Sequence, residues 1–279
     1  MSDIFAANAG MTLTAPSANV IATETHPFVA MPGLPLLSLV ALCSLLCINR
    51  VQAGEILVAV ASNFAIPMQE IAEKFEQETG HALTLIPGST GKHYAQIVNG
   101  APFDIFFAAD SERPALLELG GHAQPGSRFT YALGRLVLWS TDATLVDDAG
   151  LVLDGSRFRR LAIANPRLAP YGKAAQQVLE ARGLWQPLQP KLVRGENIAQ
   201  AFQFVASGNA ELGFVALSQV MHSGAIGRGS AWRIPVELHA PIEQQAVLLT
   251  DKPAAKNFAG FVQGEGARAI MRGFGYGTP

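Results

Sequence analysis

The sequence predicts an α/β protein of two lobes, each a mainly parallel sheet flanked by helices, with a ligand cleft between them. Three observations carry this. Short apolar runs alternate with segments of helical periodicity, the pattern of βα units. The alternation comes in two sets of about 80 and 100 residues. A C-terminal stretch then returns to strand and helix patterns, as a chain rejoining the first lobe would. The expected limits are 54–134 for the first part of lobe 1, 135–237 for lobe 2 and 238–279 for the return to lobe 1.

In the first set, "EILVAVA" (55–61) reads as a buried strand. Met68, Ile71, Ala72 and Phe75 then recur on one helix face, with Pro67 in the first turn and Gly80 at the end. "ALTLIP" (82–87) is a second strand, and Tyr94, Ile97 and Val98 mark a short helix stopped at Asn99-Gly100. "DIFFAA" (104–109) is a third strand, and Asp110 or Ser111 caps the helix that carries Leu116, Leu117 and Leu119.

The second set opens with the strand "RLVLWS" (135–140), followed by "RLAIAN" (160–165) and a helix over 173–182. The short strand "KLVRG" (191–195) leads into a helix with Ile198, Ala201, Phe202 and Val205 on one face, closing near Gly208. "ELGFVAL" (211–217), "WRIPVEL" (232–238) and "QQAVLLT" (244–250) are the next apolar segments, before helices holding Phe258, Phe261 and Val262 and starting near Glu265. There is no tandem repeat and no low-complexity tract.

Residues 1–53 differ from the rest. From Leu34 to Ile48 the chain carries no charge, a length suited to a signal-peptide apolar region and short for a membrane span. "VQA" (51–53) places small residues where a signal peptidase needs them, so cleavage is expected after Ala53 and the mature chain is expected to be periplasmic. Within this reading Met31 is a candidate true start, with residues 1–30 a dispensable extension; the alternative is an N-terminal membrane anchor. Both cysteines, Cys43 and Cys47, fall in this segment, which leaves the mature chain without disulfide or thiol chemistry. The formal net charge of −2 gives no basic footprint for nucleic acid.

Four strand-to-helix junctions carry the candidate chemistry. Ser62 and Asn63 follow the first strand. Ser89 and Thr90 lie between glycines in "PGSTGK" (87–92), which is not a phosphate-binding Walker loop because Ile86 and His93 break its pattern. In the second set, Tyr171 stands at a helix start in "APYG", and Asn197 caps the helix that opens with Ile198, whose backbone N–H is the group of interest. Each junction alone reads as an ordinary helix cap. Together they aim free N–H groups, neutral hydroxyls and positive dipole ends at one rim, which describes a site for a small, fully deprotonated oxyanion. No carboxylate lies within the four loops; Glu196 beside one of them reads as a complement to the helix dipole. Other chemistries fare worse. The histidines show no metal-ligand spacing, there is no G-x-S-x-G elbow, and Asp104 and Asp110 read as strand-edge and capping residues rather than a catalytic pair.

At these positions the chain resembles the periplasmic molybdate-binding proteins of ABC importers, through "VAVASNF" (58–64), "GSTGK" (88–92), "PFDIFFAAD" (102–110), "GENIAQAF" (195–202) and "ELGFVALSQV" (211–220). The resemblance spans about residues 54–275. It implies a periplasmic binding protein fold whose lobes are joined by two crossing segments and close on molybdate or tungstate. The implied oxyanion contacts fall on Ser62, Asn63, Ser89, Tyr171 and Ile198, with molybdenum present only as molybdate, held through Ser62, Ser89 and Ile198. Ala216-Leu217 stands where some members carry a tyrosine; others, like this chain, carry it in the "APYG" position. The expected protein is a non-enzymatic monomer without a cofactor. It would deliver its anion to an ABC membrane permease and would not bind nucleic acid. Alternatives are a receptor for sulfate or another tetrahedral anion, and an enzyme acting on a small phosphorylated substrate in the same cleft.

Overall fold

The structure is a computed structural model and describes residues 54–279 apart from Ser223. The expected signal segment and the expected cleavage point after Ala53 lie outside the described residues.

Strand β1 (Glu55–Ala61) sits between β2 (Ala82–Gly88) and β3 (Ile105–Phe107), parallel to both. Its apolar run is continuous because helices cover both faces of the sheet. Ile105 and Phe107 pack with Val58, Met68, Ile71 and Phe258, while Phe106 turns to Ala59 and Leu117 on the other face. A 3-10 turn (Ser62–Phe64) runs into α1 (Ala65–Thr79), which ends at Gly80 with φ 73°, a left-handed cap that glycine adopts without strain. Helices α2 (Thr90–Val98) and α3 (Glu112–Leu119) follow β2 and β3. Of the two candidate caps of α3, Asp110 is the one used: its Oδ1 accepts from the Arg113 N–H at 3.0 Å. Asp104 holds a strand edge, accepting from the Leu57 N–H at 2.9 Å and from Thr250 and Lys252.

The chain then adds β4 (Phe129–Gly134) to the first sheet and crosses at Arg135 into β5 (Leu136–Ser140) of a second sheet. The second sheet is built from β6 (Leu161–Ala164), α4 (Pro170–Ala181), the single turn α5 (Trp185–Leu188), β7 (Leu192–Gly195), α6 (Ile198–Ala206) and β8 (Leu212–Ala216). After one turn of helix, α7 (Leu217–Val220), come a small hairpin of β9 (Met221–His222) and β10 (Ala225–Ile226), and then the edge strand β11 (Ser230–Arg233). The chain returns over residues 234–241 to β12 (Ile242–Leu248) of the first sheet, and α8 (Pro253–Val262) and α9 (Glu265–Gly273) close it.

The strand orders are β2-β1-β3-β12-β4 and β11-β5-β8-β6-β7. In each sheet three neighbouring strands run parallel, β2-β1-β3 and β8-β6-β7, so parallel and antiparallel pairs are equal in number where a mainly parallel sheet was expected. The strands next to the crossings pair antiparallel: β12 with β3 and β4, and β5 with β8 and β11. Two readings of the sequence shift. "FTYALG" is a strand that the sequence reading left out, and the segment 232–238 is not one strand. It splits into the end of β11 and a 3-10 turn (Val236–Leu238), because Pro235 has no N–H to continue a ladder.

Candidate functional site

The carboxyl ends of β1, β2, β6 and β7 point to one place, and the first turns of the helices that follow them line a small cavity there. It is lined by Ser62, Asn63, Ser89, Tyr171 and Ile198, the five residues expected from sequence, together with Ala61, Gly88, Thr90, Ala109, Ala169, Pro170 and Asn197. None of the twelve carries a charge. The two lobes supply its opposite walls.

Each junction offers its donors for a local reason. Ser62 caps nothing in its own helix. Its Oγ instead accepts from the Ala199 N–H of the other lobe at 3.4 Å. Ser89 is a true cap, its Oγ accepting from the Lys92 N–H at 3.3 Å. Thr90, fully buried, accepts from the Ala109 N–H at 3.1 Å. In all three the hydroxyl oxygen already takes a backbone proton, so the O–H is left to donate. A wall of such hydroxyls suits an occupant that only accepts.

The backbone donors follow by elimination. In α6 the Ala199 and Gln200 N–H groups go to Ser62 Oγ and Asn197 Oδ1, which leaves that of Ile198 as the first-turn donor without a partner among the described residues. The Ile198 side chain packs in the second lobe's core. In α4, Pro170 has no N–H and Gly172 and Lys173 both donate to the Ala169 carbonyl, so Tyr171 keeps the free amide. Gly172 allows α4 to start this close to β6: a Cβ there would lie 2.3 Å from the Ala164 carbonyl oxygen.

Tyr171 is 1% exposed; its hydroxyl makes no close hydrogen bond among the described residues and lies against Gly134, beside Tyr276 and Gln244. Burial pushes its pKa well above the ordinary tyrosine value, so the hydroxyl stays protonated and able to donate. Asn63 behaves differently from a side-chain donor. Its Nδ2 donates to Gln244 Oε1 at 2.7 Å and to the Tyr276 hydroxyl at 3.0 Å, which uses both amide hydrogens, so it faces the cavity through its backbone.

The lobes meet around the cavity. The Gly91 N–H donates to the Leu168 carbonyl at 2.9 Å, Arg113 donates to the Arg167 carbonyl at 3.2 Å, and Lys92 pairs with Glu196. Glu196 was expected only to complement a helix dipole; here it reaches across the cleft. Thr90, named from sequence with Ser89 at the second junction but not among the five expected contacts, also lines the cavity. Sequence reasoning missed Ser218, Gln244 and Tyr276, which share a buried polar cluster with Asn63 and lie 155, 181 and 213 residues from it.

Two mixed α/β lobes, crossed twice by the chain and enclosing a small neutral cavity at helix N-termini, define a solute-binding protein. The chain belongs to the family of bacterial extracellular solute-binding proteins, whose sequence model it matches over residues 56–277. Among its relatives, Molybdate-binding protein ModA of Azotobacter vinelandii is 52% identical over 229 residues, covering 81% of this chain and 91% of that protein. Molybdate-binding protein ModA of Rhodobacter capsulatus is 48% identical over 229 residues, covering 81% and 89%. The solved structure of the Azotobacter vinelandii periplasmic molybdate-binding protein superposes with a TM-score of 0.79 at 44% identity, covering 80% of this chain and 99% of that one.

Proposed function

We propose that the chain is an extracytoplasmic receptor that captures molybdate, and tungstate with it, between its lobes and hands it to the membrane permease of an ABC importer. The observation that carries this reading is the cavity itself. Hydroxyls and first-turn N–H groups from both lobes converge there, and none of the lining residues carries a charge. A tetrahedral dianion fills such a site without a buried counter-charge, because the helix ends and amides supply partial positive charge from several directions. A partly protonated anion such as phosphate would also need an acceptor for its proton, and no carboxylate is among the lining residues. The names of the relatives point to the same ligand.

In this reading the ligand contacts are the Ser62 and Ser89 hydroxyls and the Asn63, Tyr171 and Ile198 amides. The moving bodies are 54–134 with 238–279, and 135–237. We read the protein as a receptor rather than an enzyme, since no group able to act as general base or nucleophilic thiol lines the cavity. We further read it as an exported monomer, cleaved after Ala53, that does not bind nucleic acid. Among the described residues no helix is long and apolar enough to cross a membrane. Calorimetry with molybdate, tungstate, sulfate and phosphate tests the reading: the first two should bind tightly, with sulfate and phosphate far weaker. Preference for sulfate would move the protein to the alternative receptor class, and turnover of a phosphate ester would move it to the enzyme class.

A further inference from the structure

The carbonyl of Asn63 is free for an unusual reason. In a regular helix its partner would be the N–H of residue 67, and residue 67 is proline. That carbonyl accepts instead from the Ser218 hydroxyl at 3.0 Å and from the Tyr276 hydroxyl at 2.8 Å. Tyr276 Oη, whose one proton goes to the Asn63 carbonyl, lies 2.9 Å from Ser218 Oγ and takes one of the Asn63 amide hydrogens. Asn63 and Tyr276 belong with the first sheet, the latter through the bridge from Leu133 to Gly277 beside it. Ser218, in α7, directly follows β8 of the second sheet. The bond from Ser218 to Asn63 therefore spans the two lobes. It is buried, with Ser218 5% and Asn63 3% exposed, and it ends on the residue whose backbone faces the anion cavity.

We propose that Ser218 is a positioning residue for the bound anion: its hydroxyl latches the second lobe onto the Asn63 carbonyl that Pro67 leaves open, so that closure and the placement of the Asn63 amide are one event. This inference rests on the proposed capture of an oxyanion by lobe closure. In this proposal the bond from Ser218 to Asn63 parts when the cleft opens, although α7 starts beside the crossing at Arg135, and the latch therefore acts on release rather than on encounter. Gln244 and Tyr276 hold the Asn63 side chain from the first lobe and keep its carbonyl aimed at Ser218.

The test is stopped-flow measurement of molybdate binding and release on the full chain, with melting temperatures taken in the absence of ligand. A net hydrogen bond contributes about a factor of three to ten in an equilibrium constant. Ser218→Ala should therefore speed molybdate release about three- to tenfold, leave the association rate unchanged and leave the ligand-free melting temperature near wild type. Pro67→Ala should also speed release, because the new N–H competes for the same carbonyl. A residue that serves only packing would instead lower the ligand-free melting temperature and leave both rates alone. Release within twofold of wild type in both variants overturns the latch while the receptor reading stands. A wild-type protein that binds no molybdate overturns the receptor reading and the latch with it.

Discussion

Ser62 and Ser89 look alike in sequence, each a small hydroxyl where a strand gives way to a helix, and the structure separates them. Only Ser89 caps a helix, while Ser62 reaches to the opposite lobe. A hydrogen bond to a charged group contributes about 1.5–3 kcal/mol, so either Ser→Ala change should weaken molybdate binding by roughly 10- to 150-fold. Stability should tell the two apart. Ser89→Ala loses a cap worth about 1 kcal/mol and should lower the melting temperature, whereas Ser62→Ala should leave the ligand-free protein nearly unchanged. Titration calorimetry and thermal melts on the same two variants check both halves. Equal melting temperatures would remove the cap from Ser89, and unchanged affinities would remove both residues from the site.

The tyrosines add a pH prediction. Burial raises the pKa of Tyr171 well above 10 and that of Tyr276 to about 12. The Tyr171 proton is therefore retained where an exposed tyrosine would lose it, and anion affinity should show no tyrosine titration between pH 7 and about 10. The sign for stability is opposite to that of a paired carboxylate. Above the unfolded value near 10 the unfolded chain binds fewer protons than the native one, so stability falls as pH rises through that point toward 12. Melting temperatures from pH 8 to 11 should stay flat and then fall. An affinity that drops with a midpoint near 10 would show that the Tyr171 hydroxyl titrates as an exposed group.

At the scale of elements, the site depends on how closely helices approach strand ends. The start of α4 lies against the end of β6 because Gly172 has no side chain. Gly172→Ala would drive a methyl into the backbone of Ala164 and Asn165. Forcing bulk into such a contact costs about 1–3 kcal/mol and would push the α4 N-terminus, with Tyr171, away from the cavity. The expected result is a lower melting temperature together with at least tenfold weaker molybdate binding, about 1.4 kcal/mol. Wild-type affinity in a destabilised Gly172→Ala protein would mean that the α4 start does not contact the ligand. The helices themselves were legible. Periodicity marked the buried face of α1, and Asn197 announced the start of α6. β4 was not legible, because "FTYALG" mixes exposed and buried positions and takes its strand conformation from pairing with β12, more than a hundred residues on.

At the scale of the molecule, the structure has the lobes together, with bonds across the cleft on both sides of the cavity. A tetrahedral anion meets all of its donors only when both walls close on it, so ligand should shift the population toward this form. Small-angle scattering should show a smaller radius of gyration with molybdate than without; an unchanged radius despite tight binding would count against closure. The Lys92–Glu196 pair at the mouth is half exposed, and exposed pairs contribute about 0.2–1 kcal/mol. Lys92→Gln should therefore speed release by no more than about fivefold, and less at high salt, where the wild-type pair is already screened. A larger effect that persists in high salt would place Lys92 on the ligand rather than on Glu196.

What the sequence determined by itself is local. The alternation of buried runs and amphipathic periods specifies strands and helices through burial and hydrogen bonding close along the chain. Ser, Asn and Gly at the junctions mark where helix N-termini open, and their neutrality points to the charge of the occupant. What only the tertiary structure decided is long-range. Whether Ser62 caps its own helix or crosses to Ala199, which antiparallel strands carry the chain between lobes, and that Ser218, Gln244 and Tyr276 converge on Asn63 all depend on contacts between distant segments. A buried polar group is satisfied by whichever partner the packed fold brings within reach, and no spacing along the chain records that partner.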